Sequence, residues 1–103
     1  MALHEEIAEL LELPEDGAGA PSLDAIESML TDGYAEALAL EAKRAQTERR
    51  MGEVARGVGD TADLQEFARL SASLESADGE LERLRALLRT LQARRRSARL
   101  ARS

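Results

Sequence analysis

The chain has no cysteine and no tryptophan, and it carries only two aromatic residues, Tyr34 and Phe67, two prolines and one histidine. Without cysteine there can be no disulfide, no thiolate nucleophile and no cysteine-built metal site. With so few aromatics the core must be made of Leu, Ala, Val and Met, which suits helix packed on helix. No apolar run approaches the ~20 residues of a membrane span, and the first residues, Met1 to Glu6, hold neither a basic region nor an apolar signal core. A cytoplasmic protein with no membrane association is the expectation. Arginine outnumbers lysine thirteen to one, a bias that says nothing about function.

The chemistry of catalysis is equally sparse. His4-Glu5 opens like a zinc-protease motif, but position 8 is Ala where a second His is required. Glu-x-x-His pairs, which build a di-metal centre in a helical bundle, do not occur. Gly17-Ala18-Gly19 and Gly57-Val58-Gly59 lack the lysine context of a phosphate-binding loop and read as linker and turn. Ser71, Ser73 and Ser76 cluster without a histidine base near them in the sequence. Paired carboxylates such as Glu5/Glu6 and Glu80/Glu82 read as solvated helix positions. Neither an enzyme, a cofactor nor a metal ion is expected.

What the chain does have is helix-forming residues in a heptad pattern. From Phe67 the apolar positions fall at Phe67, Leu70, Leu74, Ala77, Leu81, Leu84, Leu88 and Leu91, in alternating steps of three and four. Upstream, Leu23, Ile26, Leu30, Gly33, Ala37, Leu40, Met51, Val54 and Val58 follow the same period, with Arg44 and Thr47 as polar rungs. A 3.5-residue period keeps one seam of an α-helix facing a partner helix. Gly57-Val58-Gly59-Asp60 lies between the two ladders and predicts a turn. The fold is therefore expected to be all-α: a short acidic amphipathic helix over residues 1–13, a Pro/Gly linker over 14–21, and a long antiparallel helical hairpin of coiled-coil type over 22–100, turning at about 57–60.

The elements have recognisable ends. Pro14 stops the first helix, whose apolar face is Leu3, Ile7, Leu10 and Leu11. Ser22 is a suitable N-cap for a second helix running to about Arg56, with Asp24 near its positive end. Gly33 either breaks that helix or lets another helix approach closely, and its four-residue spacing from Ala37 favours approach. Asp60 or Thr61 caps a third helix running to about Ala98. A turn near residues 58 and 59 sets Ile26 and Leu30 against Leu88–Leu91, Gly33 and Ala37 against Leu81–Leu84, and Met51 against Phe67. A half-heptad shift still pairs apolar with apolar.

Charge is distributed unevenly around a formal net charge of −6. Residues 1–42 hold eleven acids and no Lys or Arg, whereas residues 83–103 hold eight Arg and no acid. In an antiparallel hairpin these two stretches lie side by side, so the asymmetry reads as internal complementarity. Arg44 sits mid-seam, where a buried charge would need a partner such as Glu41, Glu48 or Glu75.

The apolar stripe is wider than two helices need, since Leu87 flanks the third helix and Tyr34, Leu38, Ala42 and Ala45 flank the second. A homodimer forming a four-helix bundle is the expected assembly. The expected function is non-catalytic protein–protein interaction, with the chain itself and another protein as partners. Ile26, Leu30, Gly33, Ala37, Leu40, Phe67, Leu70, Leu74, Leu81, Leu84, Leu88 and Leu91 form the candidate seam, and Leu3, Ile7, Leu10 and Leu11 the candidate docking face. The alternative is a nucleic acid or other anionic partner held by Arg94, Arg95, Arg96 and Arg99. The acidic neighbour and the lack of stacking aromatics weigh against nucleic acid. Two long helices with a glycine turn are an outline shared by unrelated proteins, which carries no function by itself.

Overall fold

A computed structural model of the chain describes residues 2–57 and 61–102, with backbone alone at residue 102. Among these residues there are three α-helices and no strand: α1 (Leu3–Leu11), α2 (Leu23–Arg56) and α3 (Thr61–Arg102). The fold is all-α and consistent with a long helical hairpin. The predicted turn residues Val58, Gly59 and Asp60 lie outside the described residues.

Local chemistry accounts for the ends of the helices. Glu5 and Glu6 occupy the first turn of α1, where the helix dipole favours negative charge. Its N-cap residue is Ala2, in extended backbone with no side-chain cap. Pro14 disfavours helical backbone at Leu13, and the chain leaves the helix there. Gly17 and Gly19 then take φ of +76° and +90°, left-handed values that glycine adopts without a Cβ penalty. The Ala20 N–H closes this bend on the Gly17 carbonyl at 3.3 Å. Ser22 caps α2 by accepting the Ala25 N–H on Oγ at 3.1 Å. α3 runs four residues beyond the expected Ala98, because its arginine-rich end contains no helix breaker and suits the negative pole of the dipole.

The chain divides into two compact units, one of Met1–Ala37 with Arg83–Ser103 and the other of Leu38–Glu82. In the first unit α1 packs with the opening turns of α2 and the closing turns of α3. Ile7 and Leu91 have no exposed surface, and Ile26, Leu30, Leu84 and Leu88 are buried beside them. Gly33 does not break α2. A Cβ built there would fall 3.5 Å from Ile7 Cδ1 and against the Leu88 side chain, so the missing side chain is what lets three helices meet. Burying a side chain such as Ile7 or Leu10 contributes roughly 1.5–3 kcal/mol.

This contact fixes the register that the two ladders leave open by half a heptad. Gly33 meets Leu88, one helical turn beyond the Leu81–Leu84 stretch. The physical reason is fit: the largest gap in the α2 ladder accepts a full leucine, and a half-heptad shift leaves apolar facing apolar. Antiparallel order within the unit is carried by Arg99 and Glu27, whose ion pair measures 3.1 Å.

The second unit contains the remainder of α2 and α3. Val54, Ala77 and Leu81 are buried, while Leu40, Met51, Leu70 and Leu74 are half-buried. Arg50 reaches Glu66 at 2.8 Å and Arg44 pairs with Asp78. These pairs run in opposite order along the two helices, so the segments are antiparallel here too.

Candidate functional site

The seam residues separate by unit. In the first, Ile26, Leu30, Gly33, Ala37, Leu84, Leu88 and Leu91 form a closed core. α1 completes it with Ile7 and Leu10 buried and Leu3 and Leu11 half-buried. The face Leu3, Ile7, Leu10, Leu11 is therefore seated on the chain's own α2 and α3 in this structure.

Arg94 holds the far end of α1. Its Nη2 donates to the Leu11 carbonyl at 2.6 Å and to the Leu13 carbonyl at 3.0 Å, and its Nε lies 3.6 Å from Glu15 Oε1. The last carbonyls of a helix have no intrahelical partner. In α1 the last turn holds no basic residue, so a guanidinium from α3 supplies the cap. The Arg94 side chain is only 12% exposed, and its Nη1 is buried without a hydrogen-bond partner among the described residues. The sequence grouped Arg94 with Arg95, Arg96 and Arg99 as anion ligands and missed this role. The available signal was the absence of glycine or a basic residue at the end of α1, which left its carbonyls in need of a remote donor.

The other arginines of that cluster are placed differently. Arg99 is bonded to Glu27 across to α2, Arg95 is half-buried, and Arg96 is exposed. Charge complementarity between acidic and basic stretches is thus visible at Glu27 and at Glu15.

In the second unit the seam is less fully covered: Val54, Ala77 and Leu81 are buried, but Phe67 is 37% exposed and Leu40, Leu70 and Leu74 are half-buried, while beside the seam Leu38 is 67% and Leu64 59% exposed. Leu64 and Phe67 are three residues apart on α3 and so share a face. Leu64 is an apolar surface residue that the seam ladder did not include. Arg44 is not a buried charge: its side chain is 41% exposed and bridges Glu48 at 3.0 Å as well as Asp78. The hydrogen bond to Asp78, then the charges of Asp78 and Glu48, hold its guanidinium above its ordinary pKa. Arg50 is raised likewise, chiefly by its bonds to Glu66 and Glu53. Thr47 donates to the Lys43 carbonyl at 2.9 Å, which satisfies its hydroxyl within its own helix.

Among the described residues no three His, Asp or Glu side chains gather as metal ligands would, and no helix is long and apolar enough to cross a membrane. No family model matches the chain, no curated protein matches it, and no solved structure matches it.

Proposed function

We propose that the chain is a non-catalytic protein–protein interaction and assembly module that pairs with a second copy through the open seam of its second unit, giving a four-helix bundle of coiled-coil type in the cytoplasm. One observation carries the reading. Where three helices meet, in the first unit, the apolar ladder is covered, with Ile7 and Leu91 fully buried. Where only two helices run, the same ladder leaves Phe67 and its neighbour Leu64 exposed. An apolar stripe broader than a two-stranded seam calls for further helices, and a small chain gains a better ratio of buried to exposed surface by pairing.

The two segments of the second unit also differ in charge. The α2 segment carries Lys43, Arg44, Arg49, Arg50 and Arg56 among its three acids, and the α3 segment carries Asp63, Glu66, Glu75, Asp78, Glu80 and Glu82 with Arg69 alone. A face with one basic and one acidic ridge is complementary to its own two-fold copy, as an isologous interface requires. The test is thermal unfolding over a hundredfold range of chain concentration. A dimer melts higher as concentration rises. A melting temperature independent of concentration, unchanged by Leu64→Glu with Phe67→Glu, would defeat the proposal.

A further inference from the structure

Aspartate followed by glycine occurs three times in the chain, at Asp16-Gly17, Asp32-Gly33 and Asp78-Gly79. This dipeptide has a chemistry of its own. The glycine amide nitrogen can attack the aspartate Cγ, because no Cβ on the glycine stands in its way. Two conditions govern the reaction. The glycine N–H must be released from hydrogen bonding, and the backbone must turn until the nitrogen meets the carboxyl carbon.

The fold withholds both conditions from two of the three sites. Gly33 lies inside α2 and Gly79 inside α3. There each N–H is donated to the carbonyl four residues back, and the backbone is held at helical angles. Gly33 is buried besides, in close contact with Leu88. The Asp78 carboxylate is held by Arg44.

Asp16-Gly17 is placed differently. It lies between α1 and α2, outside any helix, and residues 12–19 are all exposed. Gly17 stands at a φ of +76°, with nothing within 4 Å of the place a Cβ would occupy. Its carbonyl accepts the Ala20 N–H, but its own N–H makes no hydrogen bond among the described residues. Neither a helical hydrogen bond nor a packed neighbour opposes ring closure there.

We propose that Asp16 is a site of spontaneous isomerisation to isoaspartate, and that the fold confines the reaction to this one of the three dipeptides. The Gly17 nitrogen bonds to Asp16 Cγ, and the carboxyl –OH leaves with the nitrogen's proton as water. Water then opens the resulting succinimide. Attack at Cγ restores aspartate. Attack at the former main-chain carbonyl breaks its bond to the Gly17 nitrogen and leaves the chain running through Cβ and Cγ. The product has the composition of the parent, with one additional methylene in the main chain and a free α-carboxylate. Water is the sole co-reactant. The change falls in the segment that joins α1 to Ser22, one residue beyond Glu15, whose carboxylate lies 3.6 Å from Arg94 Nε. The proposal does not depend on self-association.

The test incubates the full-length chain in heavy-oxygen water at neutral pH and physiological temperature, folded and in urea. After digestion in ordinary water, electron-transfer fragmentation distinguishes isoaspartate from aspartate at each site, and heavy-oxygen uptake counts passages through the succinimide. Asp16 of the folded chain should accumulate isoaspartate at least about tenfold faster than Asp32 or Asp78, since amides inside a helix open only at a free-energy cost. In urea the three sites should converge, because that protection is gone. Asp16→Glu keeps the charge on a side chain whose larger ring closes far more slowly, and should abolish heavy-oxygen uptake at position 16. Absence of isoaspartate and heavy oxygen at Asp16 of the folded chain, over a time in which the urea-unfolded chain has reacted, would overturn the proposal. So would equal rates at the three positions in the folded chain. A lead for Asp16 that persists unchanged in urea would overturn the part assigned to the fold.

Discussion

Gly33 of α2 and Leu88 of α3 occupy a space in which only one of them can carry a side chain. A Cβ on Gly33 would meet the Leu88 side chain and approach Ile7 Cδ1 to 3.5 Å. The absence of one methyl therefore sets how closely α2, α3 and α1 meet, and with it the register of the first unit.

Substitution at Gly33 should depend steeply on size. Gly33→Leu overpacks the contact and should cost about 1–3 kcal/mol. Gly33→Ala should cost less than Gly33→Leu, because about 1 kcal/mol of helix propensity gained over glycine offsets part of the strain of displacing the buried Leu88 side chain. Urea denaturation of the two variants beside the parent chain checks the order. A Gly33→Leu chain as stable as the parent would show that the close approach is absent.

The closed core and the exposed flank of α2 should respond differently to truncation. Leu91→Ala removes a side chain with no exposed surface and should cost about 2–5 kcal/mol. Leu38→Ala, at a position 67% exposed, should change stability by no more than about 0.5 kcal/mol. Denaturation midpoints measure both, and comparable losses would contradict the assignment of core and surface.

Arg94 should control α1 without controlling the hairpin. Arg94→Ala removes both donors to the Leu11 and Leu13 carbonyls, and hydrogen bonds to a charged group are each worth about 1.5–3 kcal/mol. Hydrogen exchange should show faster exchange at residues 5–12 and little change along α3. Arg94→Lys should restore only part of the protection, since its single ammonium can donate to the two carbonyls but loses the Nε approach to Glu15. Unchanged exchange in α1 would remove Arg94 from this role.

The Arg44–Asp78 and Arg50–Glu66 pairs should be insensitive to pH near neutrality. Both guanidinium groups are raised above their ordinary value, first by hydrogen bonds to Asp78 and Glu66 respectively. A basic group raised in the folded state contributes its stability below the unfolded pKa and loses it only as pH rises through the folded one. That window is strongly alkaline. Both pairs are solvent-exposed, so raising salt should weaken them. Melting curves of Asp78→Asn against the parent should differ by the same amount from about pH 6 to 9 and converge at high salt. A difference that vanished within that pH range would contradict the account.

Much of the fold was legible because it is written in short-range chemistry. Ser22 before Leu23, Pro14 after Leu11 and the alternating three- and four-residue steps each act within one or two turns. Gly33 was legible as a close approach from its spacing to Ala37. Its partner was not, because an antiparallel pair with a 3.5-residue period has nearly equivalent registers half a heptad apart, and only the fit of Leu88 into the gap separates them. Arg94 was not legible for a different reason. Its capping partners lie more than eighty residues away, and nothing in an arginine cluster distinguishes the member that turns inward. The contrast between the units was also hidden, since the same ladder runs through both and only the position of α1 makes one closed and the other open.

The central claim is that the open seam at Leu64 and Phe67 joins two copies. Absolute mass by light scattering tests it most directly, on the full chain and on its Leu64→Glu, Phe67→Glu variant, with helicity measured beside it. The account predicts twice the 11.2 kDa chain mass for the parent, and a single-chain mass for the variant at undiminished helicity. A parent of single-chain mass, or a variant that stays double, would contradict it.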